Sequence, residues 1–76
     1  MYNSQEIAMR IKTRVRTCGT TMKVMLDELN LGINIVSHLA KGQEMSYLNL
    51  AKIADYLDCS VDYLLGRTNK PDSHKL

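Results

Sequence analysis

The chain has 76 residues and a formal net charge of +2, with 45% apolar and 24% charged side chains. That length holds one domain and leaves no room for a second, ligand-sensing or substrate-cleaving unit. A chain this small buries only about 60% of the surface its unfolded form exposes, so its core is modest. No apolar run approaches the roughly 18 residues a membrane span needs, and no apolar stretch follows the early charges as in a signal peptide. The expectation is a cytoplasmic protein without membrane contact.

The charge is uneven. Residues 1–42 carry six basic and three acidic groups, and residues 43–76 carry four basic and five acidic. A basic N-terminal half suits an anionic partner, although an ordinary solvated surface accounts for it equally well. The two cysteines, Cys18 and Cys59, lie far apart. They read as small buried hydrophobes that an intracellular chain keeps reduced, and a disulfide is not implied. Neither His38 nor His74 has metal-ligand spacing to them, so no metal is expected.

No segment alternates apolar and polar residues as a strand does. The chain reads instead as short helical segments separated by capping residues. The first runs from about Ser4, a candidate N-cap, to Thr17. Its stripe is Ile7, Ile11, Val15 and Cys18, and Gly19 ends it. Arg10, Lys12, Arg14 and Arg16 fall largely off that stripe. They read as a solvated face, with Arg10 in a surface ion pair, or as phosphate contacts. The second segment starts at Thr21 as N-cap and reaches Leu29, with Met22, Met25, Leu26 and Leu29 on one face.

Asn30-Leu31-Gly32 then forms a sharp turn. Asn30 tolerates the left-handed conformation and Leu31 plugs the corner. The third segment spans Ile33 to Lys41, with Gly32 at its N-cap. Val36, Leu39 and Ala40 face inward, and Gly42 stops it. The fourth runs from near Ser46 to near Leu57, with Leu50, Ile53, Ala54 and Leu57 as its stripe. A short fifth follows Ser60 as N-cap, with Val61, Leu64 and Leu65 buried and Gly66 closing it. Residues 67–76, polar and containing Pro71, read as a disordered tail after a domain of residues 4–66.

The second and third segments have the spacing of two helices joined by a tight turn at a steep angle. The stretch LAKIADYLDCSVDYLLGRT, residues 50–68, resembles the end of lambda-repressor-like (Xre/Cro-type) helix-turn-helix domains. In them a fourth helix, a Ser-capped turn and a short fifth helix ending in Leu-Leu-Gly complete the core. Leu29 to Gly32 and Leu39 to Gly42 match the family's turn and recognition helix in register. The resemblance spans roughly residues 5–68, and its wording looks most like regulators of Gram-positive bacteria and their phages or mobile elements.

The resemblance implies an all-α, compact five-helix domain that regulates transcription. As a repressor-like homodimer, it would insert helix 33–41 into the major groove of double-stranded operator DNA, without cofactor, small-molecule ligand or enzymatic activity. Carried over position by position, the base-reading positions are Ile33, Asn34, Ser37 and His38. Asn34 suits adenine, Ser37 and His38 suit base edges, and Ile33 suits a thymine methyl. The phosphate positions are Thr21, Met22, Lys23 and Lys41. The position after Thr21, often Gln in the family, is Met22 here. The recognition helix has no Arg, and Ile33 and Ile35 stand where polar residues are more usual. Outward apolar residues also suit a protein partner, so the alternative is an interaction module of the same fold, such as an antitoxin or anti-repressor partner. The family-like dimer contact would come from the fifth helix and the segment after it. Tyr56 and Tyr63 are either half-buried or at such an interface. No nucleophile–base pair or glycine-rich phosphate loop is visible.

Overall fold

All five helices end in the same way. The computed structural model describes residues 3–70, and its helices are α1 (Ser4–Thr17), α2 (Met22–Glu28), α3 (Ile35–Ala40), α4 (Tyr47–Tyr56) and α5 (Val61–Leu65), with no strand among the described residues. After each helix one residue takes positive φ: Gly19, Asn30, Gly42, Asp58 and Gly66. The amide of the next residue reaches back to a carbonyl five positions earlier, as in Thr20 to Val15, Leu31 to Leu26, Gln43 to His38, Cys59 to Ala54 and Arg67 to Asp62. This is the Schellman closure, which satisfies carbonyls a helix end would otherwise leave unpaired. Repeated five times, it lets helices of 5–14 residues turn sharply and pack as one body. The radius of gyration, 11.3 Å, matches the value of about 11 Å for a packed domain of this length.

The starts are capped by side chains. Thr21, Ser46 and Ser60 each accept a hydrogen bond from the amide three residues on, as their positions predict. In α1 the cap is Asn3 rather than Ser4. The Asn3 carboxamide oxygen accepts from the amides of Gln5 at 2.8 Å and Glu6 at 3.1 Å, and Ser4 is already helical. Both residue types cap well, and the carboxamide one position earlier reaches two amides instead of one.

The larger correction falls on α3. It begins at Ile35, not Ile33, and Gly32 is not its N-cap. The Gly32 carbonyl accepts from the Ile35 amide in a turn, so Ile33 and Asn34 are turn residues. Asn34 holds the N-cap position without a side-chain cap bond, and Lys41 is the C-cap. A helix boundary set by a backbone turn, with no capping side chain, leaves little trace in residue types.

The core is built from the apolar stripes. Ile11, Met25, Leu26, Ile53, Leu57 and Leu64 are almost fully enclosed, each contributing about 1.5–3 kcal/mol of apolar burial. α1 packs against α3 and α5, and α4 against α5. Leu31 packs on this core from the turn after α2, with Met22, Leu29, Ile35, Tyr56 and Tyr63 partly buried around it. Val61 and Leu65 are half-buried rather than buried, because a five-residue helix turns only Leu64 fully inward. Cys18 leaves the α1 stripe: it is the C-cap residue and exposed, whereas Cys59 is buried. Residues 71–76, most of the expected tail, lie outside the described residues, as does His74.

Candidate nucleic-acid interface

The surface of interest is built by α2, the turn after it and α3. Thr21 orients the start of α2: its Oγ1 accepts from the Val24 amide at 3.2 Å, which leaves the Thr21 hydroxyl proton to be donated outward. Lys23 beside it is exposed, while Met22 is half-buried against the core. At the far end, Leu29 is the C-cap and Asn30 takes φ 57°. The chain reverses there, and Leu31 turns inward with its amide held by Leu26 at 2.9 Å.

α3 then presents two unlike faces. Val36 and Leu39 are buried, with Ile35 and Ala40 half-buried beside them. Asn34, Ser37, His38 and Lys41 are all exposed. Their spacing of three, four and seven residues places them on one stripe of a helix. Among these groups are an amide that donates and accepts, a hydroxyl, an imidazole and an ammonium, a set that can pair with the edges of bases and with anions. Ile33 stands in the turn ahead of this row, 62% exposed.

Of the positions carried over from the resemblance, Lys23, Ile33, Asn34, Ser37 and His38 are exposed, Thr21 and Lys41 stand at helix ends, and Met22 faces the core. Positive charge on α2 and α3 comes from Lys23 and Lys41, while Asp27 and Glu28 are exposed on α2. Two of the α1 cations point elsewhere. The Arg14 guanidinium bonds the Leu57 and Asp58 carbonyls. Arg10 lies over Gly66, so close that a Cβ there would sit 2.9 Å from its guanidinium. Arg10 thus lies at the end of α5. Lys12 and Arg16 remain exposed.

Four exposed apolar residues are absent from the pattern read in the sequence. Tyr47 and Leu48 open α4 at 79% and 59% exposure, Met9 on α1 is 65% exposed, and Val24 on α2 is 46% exposed. The signal was available for the first two: both fall off the Leu50, Ile53, Ala54, Leu57 stripe, and a large apolar residue off the stripe of a short helix faces outward. Among the described residues no three metal-ligating side chains gather, and no helix is long and apolar enough to cross a membrane. No known protein family, curated protein or solved structure matches the chain.

Proposed function

We propose that this protein is a sequence-specific DNA-binding regulator of transcription, with α2 and α3 acting as a helix-turn-helix of the lambda-repressor-like kind. The observation that carries the reading is the exposed polar row Asn34, Ser37, His38 and Lys41, backed by a buried apolar face on the same short helix. In this reading Asn34, Ser37 and His38 address base edges in the major groove and Ile33 contacts a thymine methyl. Thr21, Lys23 and Lys41 hold phosphates and fix the register, and Met22 contributes through its backbone amide. The protein acts as a homodimer on an operator whose half-sites lie about 34 Å apart or a multiple of that, and represses by occupying the site.

The test is titration of the protein against random and selected duplexes at several salt concentrations. Affinity should fall linearly on a log–log scale, with a slope of about −0.9 per phosphate contact. Selected sites should be palindromic. Absence of binding at low salt overturns the reading.

A second reading, a protein-interaction module of the same fold, is favoured by one observation. Ile33, 62% exposed, and Val24, 46% exposed, are apolar residues on the elements that would meet DNA, and Lys23 and Lys41 are the cations those elements offer. Under that reading Ile33→Glu abolishes capture of a protein partner, and duplexes leave the protein unbound at every salt concentration.

A further inference from the structure

Two cysteines flank the C-terminal end of α4. Cys18 closes α1, and its Sγ–H donates to the Leu57 carbonyl at 3.4 Å. Cys59 follows Leu57 by two residues, and its amide is tied back to Ala54 at 3.0 Å in the same helix closure. The Arg14 guanidinium lies between the two elements, with Nε 3.2 Å from the Leu57 carbonyl and Nη2 3.3 Å from that of Asp58. Cys18 thus reaches the carbonyl that Arg14 also bonds, and Arg14 and Cys18 are both among the groups that act on the Cys59 thiol, 41 positions along the chain. Their exposures are opposite: Cys18 is open to solvent and Cys59 is enclosed.

From this arrangement we propose that Cys18 and Cys59 form a thiol–disulfide pair, in which Cys18 meets a small-molecule disulfide and Cys59 resolves it. In the first step the Cys18 thiolate attacks one sulfur of the oxidant. A mixed disulfide forms, the oxidant's S–S bond breaks, and one small thiol leaves with the proton Cys18 gave up. In the second step the Cys59 thiolate attacks the Cys18 sulfur and expels the second small thiol. The protein loses two hydrogens and the oxidant is reduced to two thiols.

The local chemistry divides the roles. Burial pushes the Cys59 thiol up from its ordinary value, and the Arg14 guanidinium works against that push. Cys59 is thus shielded from bulk reagents, while the cation beside it favours the thiolate the second step needs. Closure joins the end of α1 to the turn after α4. It also replaces the Cys18 hydrogen bond, leaving the Leu57 carbonyl to Arg14.

The experiment equilibrates the native, full chain with glutathione and glutathione disulfide over a range of ratios. It then traps free thiols with N-ethylmaleimide and reads intact mass and peptide maps. The expected product is a monomer lighter by two hydrogens, carrying no alkylator and yielding a Cys18–Cys59 linked peptide. Cys59→Ser and Cys59→Ala should both stop at a single glutathione adduct on Cys18, and Cys18→Ser should stay unmodified. The proposal is overturned if the wild-type protein itself stops at that adduct, forms disulfide-linked dimers, or keeps both thiols alkylatable at every ratio. None of these readouts involves DNA, so the outcome is independent of the function proposed above.

Discussion

Arg14 on α1 closes the C-terminal end of α4 by donating to the carbonyl of Leu57, 43 residues away, at 3.2 Å. The second arm of its guanidinium reaches the Asp58 carbonyl at 3.3 Å. Both carbonyls lie at the negative end of the helix, where a cation is favoured. The fork geometry suits two acceptors at once, which a lysine cannot match. Arg14→Ala should lower stability by about 1–2 kcal/mol, toward the low end for charge-assisted hydrogen bonds because the group is partly solvated. For a domain of this size that is a fall of roughly 5–10 °C in thermal midpoint. Arg14→Lys should recover less than half of it. A thermal midpoint unchanged in Arg14→Ala would mean that the contact carries no stability.

Arg10, one turn earlier on α1, lies over the end of α5. Gly66 there has φ 85°, and a Cβ would lie 2.9 Å from the Arg10 guanidinium. Gly66→Ala therefore imposes left-handed strain of about 1–2 kcal/mol and drives Arg10 off the helix end. In an Arg10→Ala background only the strain should remain. Denaturant midpoints of the two single variants and the double variant form a cycle, and a coupling of about 0.5–1 kcal/mol is expected. Strict additivity would show that the two residues do not sense each other.

These two arginines explain what was and was not legible in the sequence. The stripes Ile7, Ile11, Val15 and Leu50, Ile53, Ala54, Leu57 announced their helices, because burial of one face imposes the helical period. Thr21, Ser46 and Ser60 announced helix starts, and Asn30 a left-handed turn, because those side chains do locally what the backbone needs there. Arg10, Arg14 and Cys18 lie at i, i+4 and i+8 on α1, yet their partners are the ends of α4 and α5. That relation exists only after the chain has folded back on itself, so no local pattern encodes it. The start of α3 was hidden for a different reason: the Gly32–Ile35 turn is a backbone hydrogen bond with no capping side chain. Of the candidate interface, the inward lean of Met22 was readable from its place on the α2 stripe, whereas the α3 row was named from the resemblance and its exposure, like that of Val24, emerges only in the packed structure.

Asn30 offers a test of the left-handed turns. Its φ of 57° is tolerated by asparagine but is strain-free only for glycine. Asn30→Gly should keep or raise stability, by up to about 0.5–1 kcal/mol, and Asn30→Ala should lower it by about 1 kcal/mol. Urea midpoints decide this, and an Asn30→Ala variant as stable as wild type would argue that the turn relaxes to another conformation.

Tyr56 should give the fold an alkaline dependence. The Glu28 carboxylate, acting as acceptor for its hydroxyl, raises the phenol above its ordinary value of 10.0, with Thr20 pulling the other way. A raised value in the folded chain means the protonated phenol is favoured there. The resulting stability is whole below about pH 10 and is lost as the pH climbs through the higher folded value. Urea midpoints measured from neutral pH to above pH 10 should fall more steeply for wild type than for Tyr56→Phe. Glu28→Gln should flatten the same limb. Parallel curves for all three proteins would remove Glu28 as the cause.

On the proposed interface, Asn34 and Lys41 should fail in different ways. Asn34 makes no side-chain cap bond to α3, so Asn34→Ala should leave the thermal midpoint nearly unchanged and any loss of affinity can be assigned to DNA. If its amide reads adenine, the variant loses about 1–3 kcal/mol on the selected site and becomes indifferent at one base pair. Its salt slope stays that of wild type, because no phosphate contact has gone. Lys41, exposed at the end of α3, should behave oppositely. Lys41→Ala weakens all duplexes alike and lowers the magnitude of the salt slope by about 1. Binding isotherms for both variants on matched and mismatched duplexes, at three or more salt concentrations, separate the two effects. If both variants lose affinity uniformly and with the same change in slope, the outward face of α3 meets phosphate along its length and bases are read elsewhere.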